Sequence, residues 1–174
     1  MIRTARLVLR PPVEADRPAL VAMLADAELM AELMSGADEA TANAAIDRHI
    51  AWRESDGLGF WTVERDGVVG GFVGLKPGAP DTPIAGAIEI GWILSRGFQG
   101  QGIAMEAARA SLDWAWANTE AAEVVAITAA INRKSQGVMD RLGMVRDPAG
   151  DFDHPRFATD DPLRATVTYR IARP

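Results

Sequence analysis

Residues 88–104 read Ile-Glu-Ile-Gly-Trp-Ile-Leu-Ser-Arg-Gly-Phe-Gln-Gly-Gln-Gly-Ile-Ala, and this stretch decides the fold class. Its first part, Ile88–Leu94, is apolar apart from Glu89, which is typical of a buried strand. A turn with three glycines, Gly97–Gly102, leads into a predicted helix at Ile103–Ala117. Glycine permits close approach to the backbone, and the N–H groups at a helix N-terminus bind phosphate. The stretch therefore predicts a phosphate-binding turn.

Two common phosphate motifs do not fit this turn. A dinucleotide fingerprint needs a third glycine where Met105 stands. A P-loop needs a lysine after its second glycine, and here Ile103 and Ala104 follow instead. The sequence therefore argues against NAD and ATP sites of these two types.

Strand and helix patterns alternate on both sides of the turn. Further strands are predicted at Ala5–Arg10, Phe60–Glu64, Val68–Leu75, Val124–Ala130 and Val167–Ile171. Further helices are predicted at Glu14–Leu24, Glu39–Arg53 and Asn132–Leu142, and Arg146–Leu163 is expected to be mostly loop. Asp66-Gly67 predicts a two-residue hairpin, and glycines 70, 71 and 74 predict a twisted or bulged strand or the close approach of another backbone. This order predicts one α/β (α+β) domain, residues 1–174, around a single mixed sheet.

Composition excludes several classes of protein. The 174 residues are 48% hydrophobic and 24% charged, which is typical of a folded chain. The formal net charge of −6 argues against binding to nucleic acid. Cysteine is absent, which excludes disulfides and thiolate nucleophiles, and no apolar run approaches the ~20 residues of a membrane span. We expect a cytoplasmic protein with no membrane or nucleic-acid partner.

Four segments carry a resemblance to a known family. Gln99, Gly102 and Ala104 meet the pattern [QR]-x-x-G-x-[GA], which resembles the coenzyme A signature of the GNAT (GCN5-related) N-acetyltransferases. Residues 132–144 are similar to the N-x-x-S-x-x-V-x-x-x-L-G-[FM] stretch of the ribosomal-protein N-terminal acetyltransferase (RimJ/RimL-like) branch, and residues 6–10 resemble the first strand of that branch. Residues 151–155 are similar to a segment of many bacterial members whose substrates are unassigned. The segments occur in the order of the family.

The resemblance implies a GNAT fold, with a mostly antiparallel sheet of six to seven strands and about four helices. It also implies transfer of an acetyl group from acetyl-CoA to a primary amine by direct attack in a ternary complex. The implied cofactor-binding residues are Trp92, Ile93, Leu94, Gln99, Gly100, Gln101, Gly102, Ile103, Ala104, Asn132 and Ser135.

Glu89 and Ser135 are the candidate catalytic residues. Glu89 is the only acid in its strand, and glutamates at the matching place of several GNAT enzymes act as base; the alternative is a solvent-facing or arginine-paired residue. Asn132 and Ser135 share a helix face, and the resemblance places them at the pantetheine arm and the thioester sulfur. Asn132 can also be the helix N-cap, and Ser135 an ordinary first-turn residue. Met139 stands where many GNAT enzymes have a proton-donating tyrosine, so Ser135 or water protonates the sulfur, or a thiolate leaves.

The remaining candidates have two interpretations each. His154 lines an acceptor pocket or belongs to a plain turn, whereas His49 is expected to be a packing or surface residue. Arg133 and Lys134 meet the 3′-phosphate of coenzyme A or form a solvated pair. Among the tryptophans, Trp92 alone is placed to approach the cofactor. No ligand spacing for a metal is present, so no metal is expected.

The sequence leaves the acceptor open. A protein N-terminal α-amine, a small amine such as an amino acid, polyamine or antibiotic, and a non-catalytic role as a coenzyme A-binding regulatory domain are three hypotheses. A homodimer is also possible, because dimers are common in the family.

Overall fold

One mixed sheet takes in nine strands in a computed structural model that describes residues 1–174. The strands are β1 (Ile2–Arg3), β2 (Val8–Arg10), β3 (Gly59–Arg65), β4 (Val68–Pro77), β5 (Ile88–Leu94), β6 (Glu123–Ala129), β7 (Val145–Arg146), β8 (Phe152–Asp153) and β9 (Ala165–Ala172). Their order across the sheet is β1-β2-β3-β4-β5-β6-β9-β7, with β8 also paired to β9. The sheet therefore contains strands from both the start and the end of the chain.

The helices form a layer on each face of this sheet. They are α1 (Arg17–Leu24), α2 (Ala27–Met30), α3 (Glu39–Asp56), α4 (Ile103–Asn118) and α5 (Arg133–Leu142). The larger core lies between the sheet and the α4–α5 layer, and the smaller core lies under α1 and α3. Because side chains alternate along a strand, β5 sends Ile90 and Leu94 into the first core and Ile93 toward the second.

Strands β5 and β6 separate almost as soon as they meet. They are the only parallel neighbours in the sheet, and a single residue pair, Glu89 with Val125, joins them. Beyond that pair the two strands diverge. A gap therefore opens in the middle of the sheet, at the end of β5 that leads into the glycine-rich turn.

Local sequence explains the hairpin and the irregularity in β4. Asp66 and Gly67 both have positive φ (52° and 78°), as a type I′ turn requires. The register between β3 and β4 shifts at Val63/Glu64, so Gly70 is the extra residue of a β-bulge. A Cβ on Gly70 would lie 2.3 Å from the ring of Phe98. The predicted bulge is confirmed, and the close approach comes mainly from side chains rather than from another backbone.

The predicted architecture is confirmed, with additions. The mixed, mostly antiparallel sheet contains the six predicted strands, and three two-residue strands, β1, β7 and β8, extend it. The segment expected to be mostly loop holds β8 and part of β7, and α2 is a helix of four residues that periodicity did not separate from its neighbour. None of the helices combines the length and apolar character that a membrane crossing demands.

Candidate active site

The turn between β5 and α4 presents a row of unbonded backbone N–H groups. Gly100 and Gly102 have φ of 72° and 76°, a region that glycine occupies without strain, and Gly102 is the N-cap of α4. The N–H groups of residues 100–102 have no acceptor in the protein. The N–H groups of residues 103–105 are free as well, because the first intrahelical hydrogen bond of α4 runs from Glu106 N–H to the Gly102 carbonyl. Six consecutive donors are thus available at the positive end of the helix dipole.

Side chains hold this turn in place from both ends. The Gln99 amide donates to the carbonyl of Leu94 (3.0 Å), which ties the turn to the end of β5. Arg6 donates to the Gln101 carbonyl (3.0 Å) and forms an ion pair with Glu106 in the first turn of α4. Burial alone would raise the pKa of Glu106, but the hydrogen bonds from Thr4 and Arg6 hold this pKa below its usual value. These contacts therefore hold the N–H donors of the turn in fixed positions.

A cavity of about 890 Å³ lies against these donors. Ten of the eleven residues predicted to bind the cofactor line it: Trp92, Ile93, Leu94, Gln99, Gly100, Gly102, Ile103, Ala104, Asn132 and Ser135. Gln101 does not line the cavity, because its side chain is exposed and bonds to the Gly97 carbonyl and to Arg65. Its backbone N–H remains one of the six donors.

The gap beside β5 adds backbone groups to the cavity wall. Ser95 N–H donates toward β4, to the Gly70 carbonyl, while the Leu94 carbonyl points the other way and accepts from Gln99. Backbone groups of alternate residues point to the same side of a strand. The N–H and carbonyl of Trp92 therefore face the gap, where no strand pairs with them.

The first turn of α5 forms the opposite wall. The Asn132 carboxamide oxygen accepts from Ser135 N–H (3.0 Å), so the predicted N-cap role is confirmed. The amide nitrogen of Asn132 reaches the Glu32 carbonyl at 3.5 Å. Asn132 thus joins α5 to the segment after α2, and Ser135 keeps its hydroxyl free toward the cavity.

No tyrosine lines the cavity. Met139 is 2% exposed and packs in the larger core, so its position supplies no proton donor. Tyr169, the single tyrosine of the chain, is buried in the same core, where burial raises the pKa of its hydroxyl. A proton for the leaving group would have to come from Ser135 or from solvent.

Glu89 lies at the closed end of the gap, on the face opposite to α4. Its side chain is buried and forms an ion pair with Lys76, which stands directly across on β4. It does not line the large cavity, and it lies three steps along the strand, ~10 Å, from Trp92. The alternative to a catalytic role for Glu89 was an ion pair with an arginine. An ion pair is present, but its partner is a lysine.

The two histidines lie on this same face. His49 is buried against the ring of Phe60 (4.1 Å between centroids), and its Nδ1 accepts from Phe60 N–H (3.2 Å). Burial, with help from nearby cations, lowers the pKa of His49 to about 3. His154 is half-buried between Phe152 and Phe157, and burial followed by the charges of Arg156 and Lys76 lowers its pKa. The expectation of a packing role for His49 is confirmed.

Several cavity residues were missed by sequence analysis. Gly137, Val138 and Arg141 follow Lys134 at helical spacing, so the period of α5 could have identified them. Further lining residues come from α2 and the segment after it, namely Leu29, Glu32 and Leu33. No local sequence pattern predicts that they line a cavity. Arg133, Lys134 and Arg141 place positive charge at the rim, which suits a ligand with several phosphates.

The residues present fit coenzyme A. Six free N–H donors, a glycine turn without Cβ atoms and a rim of three cations suit the phosphates. The free backbone of Trp92 suits the amide-containing pantetheine arm. No group of three or more His, Cys, Asp or Glu side chains could hold a metal ion. A second cavity of about 430 Å³ lies between the α2 region and the loop before β9, with Asp160 and Asp161 in its wall.

Comparison with known proteins places the chain in a family. Residues 6–145 match the GNAT acetyltransferase domain. An acetyltransferase from Agrobacterium tumefaciens str. C58 superposes with a TM-score of 0.80 at 29% identity, over 98% of this chain and 92% of that chain. RimL, a ribosomal L7/L12 alpha-N-protein acetyltransferase solved with coenzyme A, superposes at 0.78 and 17% identity, over 97% and 95% of the two chains.

A third structure, an acetyltransferase from Salmonella typhimurium that modifies the N-terminal serine of ribosomal protein L7/L12, gives a TM-score of 0.77 at 20% identity, over 97% of this chain and 96% of that chain. At 17% and 20% identity, the similarity to these two ribosomal-protein enzymes shows that they have the same fold as this chain and shows nothing finer. The match over residues 6–145 covers most of the sequence and contains the turn, the gap and the start of α5. The chain belongs to the GNAT acetyltransferase family and is an acetyl-CoA-dependent N-acetyltransferase.

Proposed function

We propose that the large cavity binds acetyl-CoA with its diphosphate on the turn N–H groups of residues 100–105. The observation that carries this proposal is the row of six donors without a protein acceptor on the cavity wall. Trp92, Ile93 and Leu94 hold the pantetheine arm through the free edge of β5, and Ser135 and the Asn132 cap border its far end. Arg133, Lys134 and Arg141 supply charge for the 3′-phosphate.

Glu89 serves as the general base in this proposal. The thioester supplies an activated acetyl group, and the acceptor amine must lose a proton as its nitrogen bonds to the carbonyl carbon. The Glu89 carboxylate takes that proton, directly or through a water molecule, while the ion pair with Lys76 holds the carboxylate in position. The carbon–sulfur bond then breaks, and the sulfur leaves as a thiolate or accepts a proton from the Ser135 hydroxyl or from solvent.

The acceptor in this proposal is the α-amine of a peptide or protein N-terminus. The similarity in fold to two enzymes that acetylate ribosomal L7/L12 supports it, as do the sequence patterns of residues 132–144. A small amine is the second candidate, because the 430 Å³ cavity has room for a small molecule. We also propose a single domain over residues 1–174 that acts in the cytoplasm, alone or as a homodimer, without a nucleic-acid or membrane partner.

Thiol release with a panel of acceptors tests this function. The protein is incubated with acetyl-CoA and with peptides that have free or blocked N-termini, amino acids, polyamines and aminoglycosides. Release that requires a free peptide α-amine supports the first acceptor, and release only with small amines supports the second. Binding of acetyl-CoA in calorimetry without release by any amine would support a non-catalytic coenzyme A-binding domain.

A further inference from the structure

The turn between β1 and β2 is bonded to the start of α4. Thr4 Oγ1 donates to Glu106 Oε1 (2.5 Å), and the backbone N–H of Arg6 donates to the same oxygen (3.1 Å). The Arg6 guanidinium donates through Nε to Glu106 Oε2 (2.7 Å). Glu106 lies 100 residues after Arg6, in the first turn of α4. The start of the chain is therefore attached to the helix whose N-terminus carries the free N–H groups.

Arg6 has a second acceptor, the carbonyl of Gln101 in the glycine-rich turn. Nη1 donates to this carbonyl (3.0 Å), and Nη2 lies 3.6 Å from the position that a Cβ on Gly102 would take. The planar guanidinium serves this carbonyl and the Glu106 carboxylate together, which its fixed set of donors permits. Gly102 lines the large cavity and Arg6 does not. Arg6 therefore contacts the peptide group between Gln101 and Gly102 from outside the cavity.

The bond to Arg6 fixes the direction of the Gly102 N–H. In a planar trans peptide the carbonyl and the N–H point in opposite directions, and the chain contains no cis peptide bond. Because the Gln101 carbonyl points toward Arg6, the Gly102 N–H points away from Arg6, toward the cavity that Gly102 lines. Glycine adopts either sign of φ with little strain, so this peptide group would be free to turn over without an external contact. Arg6 supplies that contact.

Arg6 also changes the charge beside the turn. Glu106 follows directly after the free N–H groups of residues 103–105, and its carboxylate would repel a diphosphate bound there. The ion pair with Arg6 (2.7 Å) offsets this negative charge. Arg6 thus has two effects that favour an anion at the turn, the orientation of the Gly102 N–H and the neutralisation of Glu106. Removal of the Glu106 charge separates the two effects.

We propose that Arg6 is a positioning residue for the cofactor, which holds the Gln101 carbonyl and thereby keeps the Gly102 N–H directed at the diphosphate. The inference rests on the proposed function, since it takes the N–H groups of the turn as the diphosphate site. Arg6 itself touches no part of the cofactor and acts only through the backbone. The edge of the sheet that begins the chain therefore controls affinity for the cofactor.

Three ligands of decreasing size test the proposal. Dephospho-coenzyme A keeps the diphosphate of coenzyme A and lacks its 3′-phosphate, and pantetheine lacks both groups. Arg6→Gln should raise the Kd about tenfold for coenzyme A and for dephospho-coenzyme A, as for the loss of one charge-assisted hydrogen bond, and leave the Kd for pantetheine unchanged. Calorimetry measures the first two, and an NMR titration measures pantetheine. An equal loss for all three ligands, or a loss for coenzyme A alone, would overturn the proposal.

Two further variants separate the contact from charge and from folding. Arg6→Lys keeps the charge but cannot span both acceptors, so it should show the same pattern with a smaller loss; this variant carries the test if Arg6→Gln does not fold. Arg3→Gln is the matched control, because it removes one exposed positive charge from β1 and leaves the Gln101 carbonyl bonded. A loss of affinity in Arg3→Gln as large as in Arg6→Gln would show a long-range effect of charge and would refute the contact.

A double variant distinguishes orientation from neutralisation. Arg6→Gln is introduced into Glu106→Gln, where no carboxylate remains to be neutralised. The Kd for dephospho-coenzyme A should still rise severalfold relative to Glu106→Gln alone, because the bond to the Gln101 carbonyl is lost in this background as well. No further rise would mean that Arg6 only neutralises Glu106, and the positioning role would be wrong.

The wild-type protein separates this proposal from the proposed function. If the wild type binds dephospho-coenzyme A no more tightly than pantetheine, the diphosphate site on the turn is wrong, and the role of Arg6 is wrong with it. If the wild type prefers dephospho-coenzyme A and Arg6→Gln keeps the whole preference, the proposed function stands and only the role of Arg6 is refuted.

Discussion

In the proposed function, the two faces of β5 recognise their ligands in different ways: the cofactor face lies toward α4, and the acceptor face carries Glu89. On the cofactor face, the proposed phosphate donors are the free backbone N–H groups of six consecutive residues, 100–105, beside the first turn of α5. On the proposed acceptor face, Glu89 pairs with Lys76 from β4, and the buried His49 comes from α3. The first site is local and made of backbone; the second is long-range and made of side chains.

This difference teaches where specificity can reside. Backbone donors depend on glycines at a few positions and bind the same phosphates whatever the surrounding side chains are. Side chains brought from separate segments can be exchanged one at a time while the backbone of β5 stays the same. We expect substitutions on the cofactor face to remove binding altogether, and substitutions on the acceptor face to change rate, pH dependence or choice of substrate.

The largest effect is expected from Gly102→Val. Gly102 has a φ of 76°, where a β-branched residue costs ~1–2 kcal/mol or more, so the turn must rearrange and its N–H groups lose their alignment. We expect the Kd for coenzyme A to rise about a hundredfold or more, measured by calorimetry. Gly57→Val is the matched control, because Gly57 has a φ of 69° at the end of α3. It should lose similar stability and keep its affinity; normal affinity in Gly102→Val would contradict the assigned turn.

Glu89→Gln is expected to separate the two faces. It should leave the Kd for coenzyme A unchanged and lower kcat about a hundredfold or more, with a changed pH–rate profile, because a general base contributes this much. The thermal midpoint is followed as well, since Lys76 loses its partner. Glu64→Gln is the control, because Glu64 is a strand carboxylate paired with Arg10 outside the large cavity. A pH profile identical to that of the wild type would remove Glu89 from the mechanism.

Acid is expected to lower the free energy of unfolding of the protein through His49, which lies on the proposed acceptor face. The pKa of His49 is about 3 in the folded protein and near 6.5 when unfolded, so the unfolded state binds the extra proton between these values. The stabilising contribution is complete above pH 6.5 and is lost as the pH falls toward 3. We expect it to remove roughly 2 kcal/mol of unfolding free energy between pH 7 and pH 5. His49→Asn, measured by urea titration, should show a flatter dependence; equal slopes would refute the assignment.

The smallest effect is expected from Ser135→Ala. The cap of α5 uses the backbone N–H of Ser135, so alanine keeps the helix start while it removes the hydroxyl on the cavity wall. If that hydroxyl assists the departing sulfur, kcat should fall about tenfold, in line with the loss of one hydrogen bond. Ser135→Thr should keep most of the activity. Full activity in the alanine variant would assign protonation of the sulfur to solvent.

The sequence predicted most of the residues that line the large cavity, for a physical reason. Strand periodicity, the glycine turn and the Asn132 cap are local signals, and β5 was predicted with its observed bounds. The acceptor face depends on contacts between distant segments. Nothing in the sequence near Glu89 announces Lys76, which meets it only through the register of β4 and β5.

The bulge in β4 has a consequence for the evolution and engineering of this enzyme. The ring of Phe98 occupies the space that a Cβ on Gly70 would need, so the sheet and the phosphate turn share one contact. A side chain at Gly70 would displace the ring of Phe98, which lines the large cavity, although Gly70 itself does not line it. We therefore expect substitutions at Gly70 to change ligand affinity through Phe98, so random libraries should return such mutants alongside those that line the cavity.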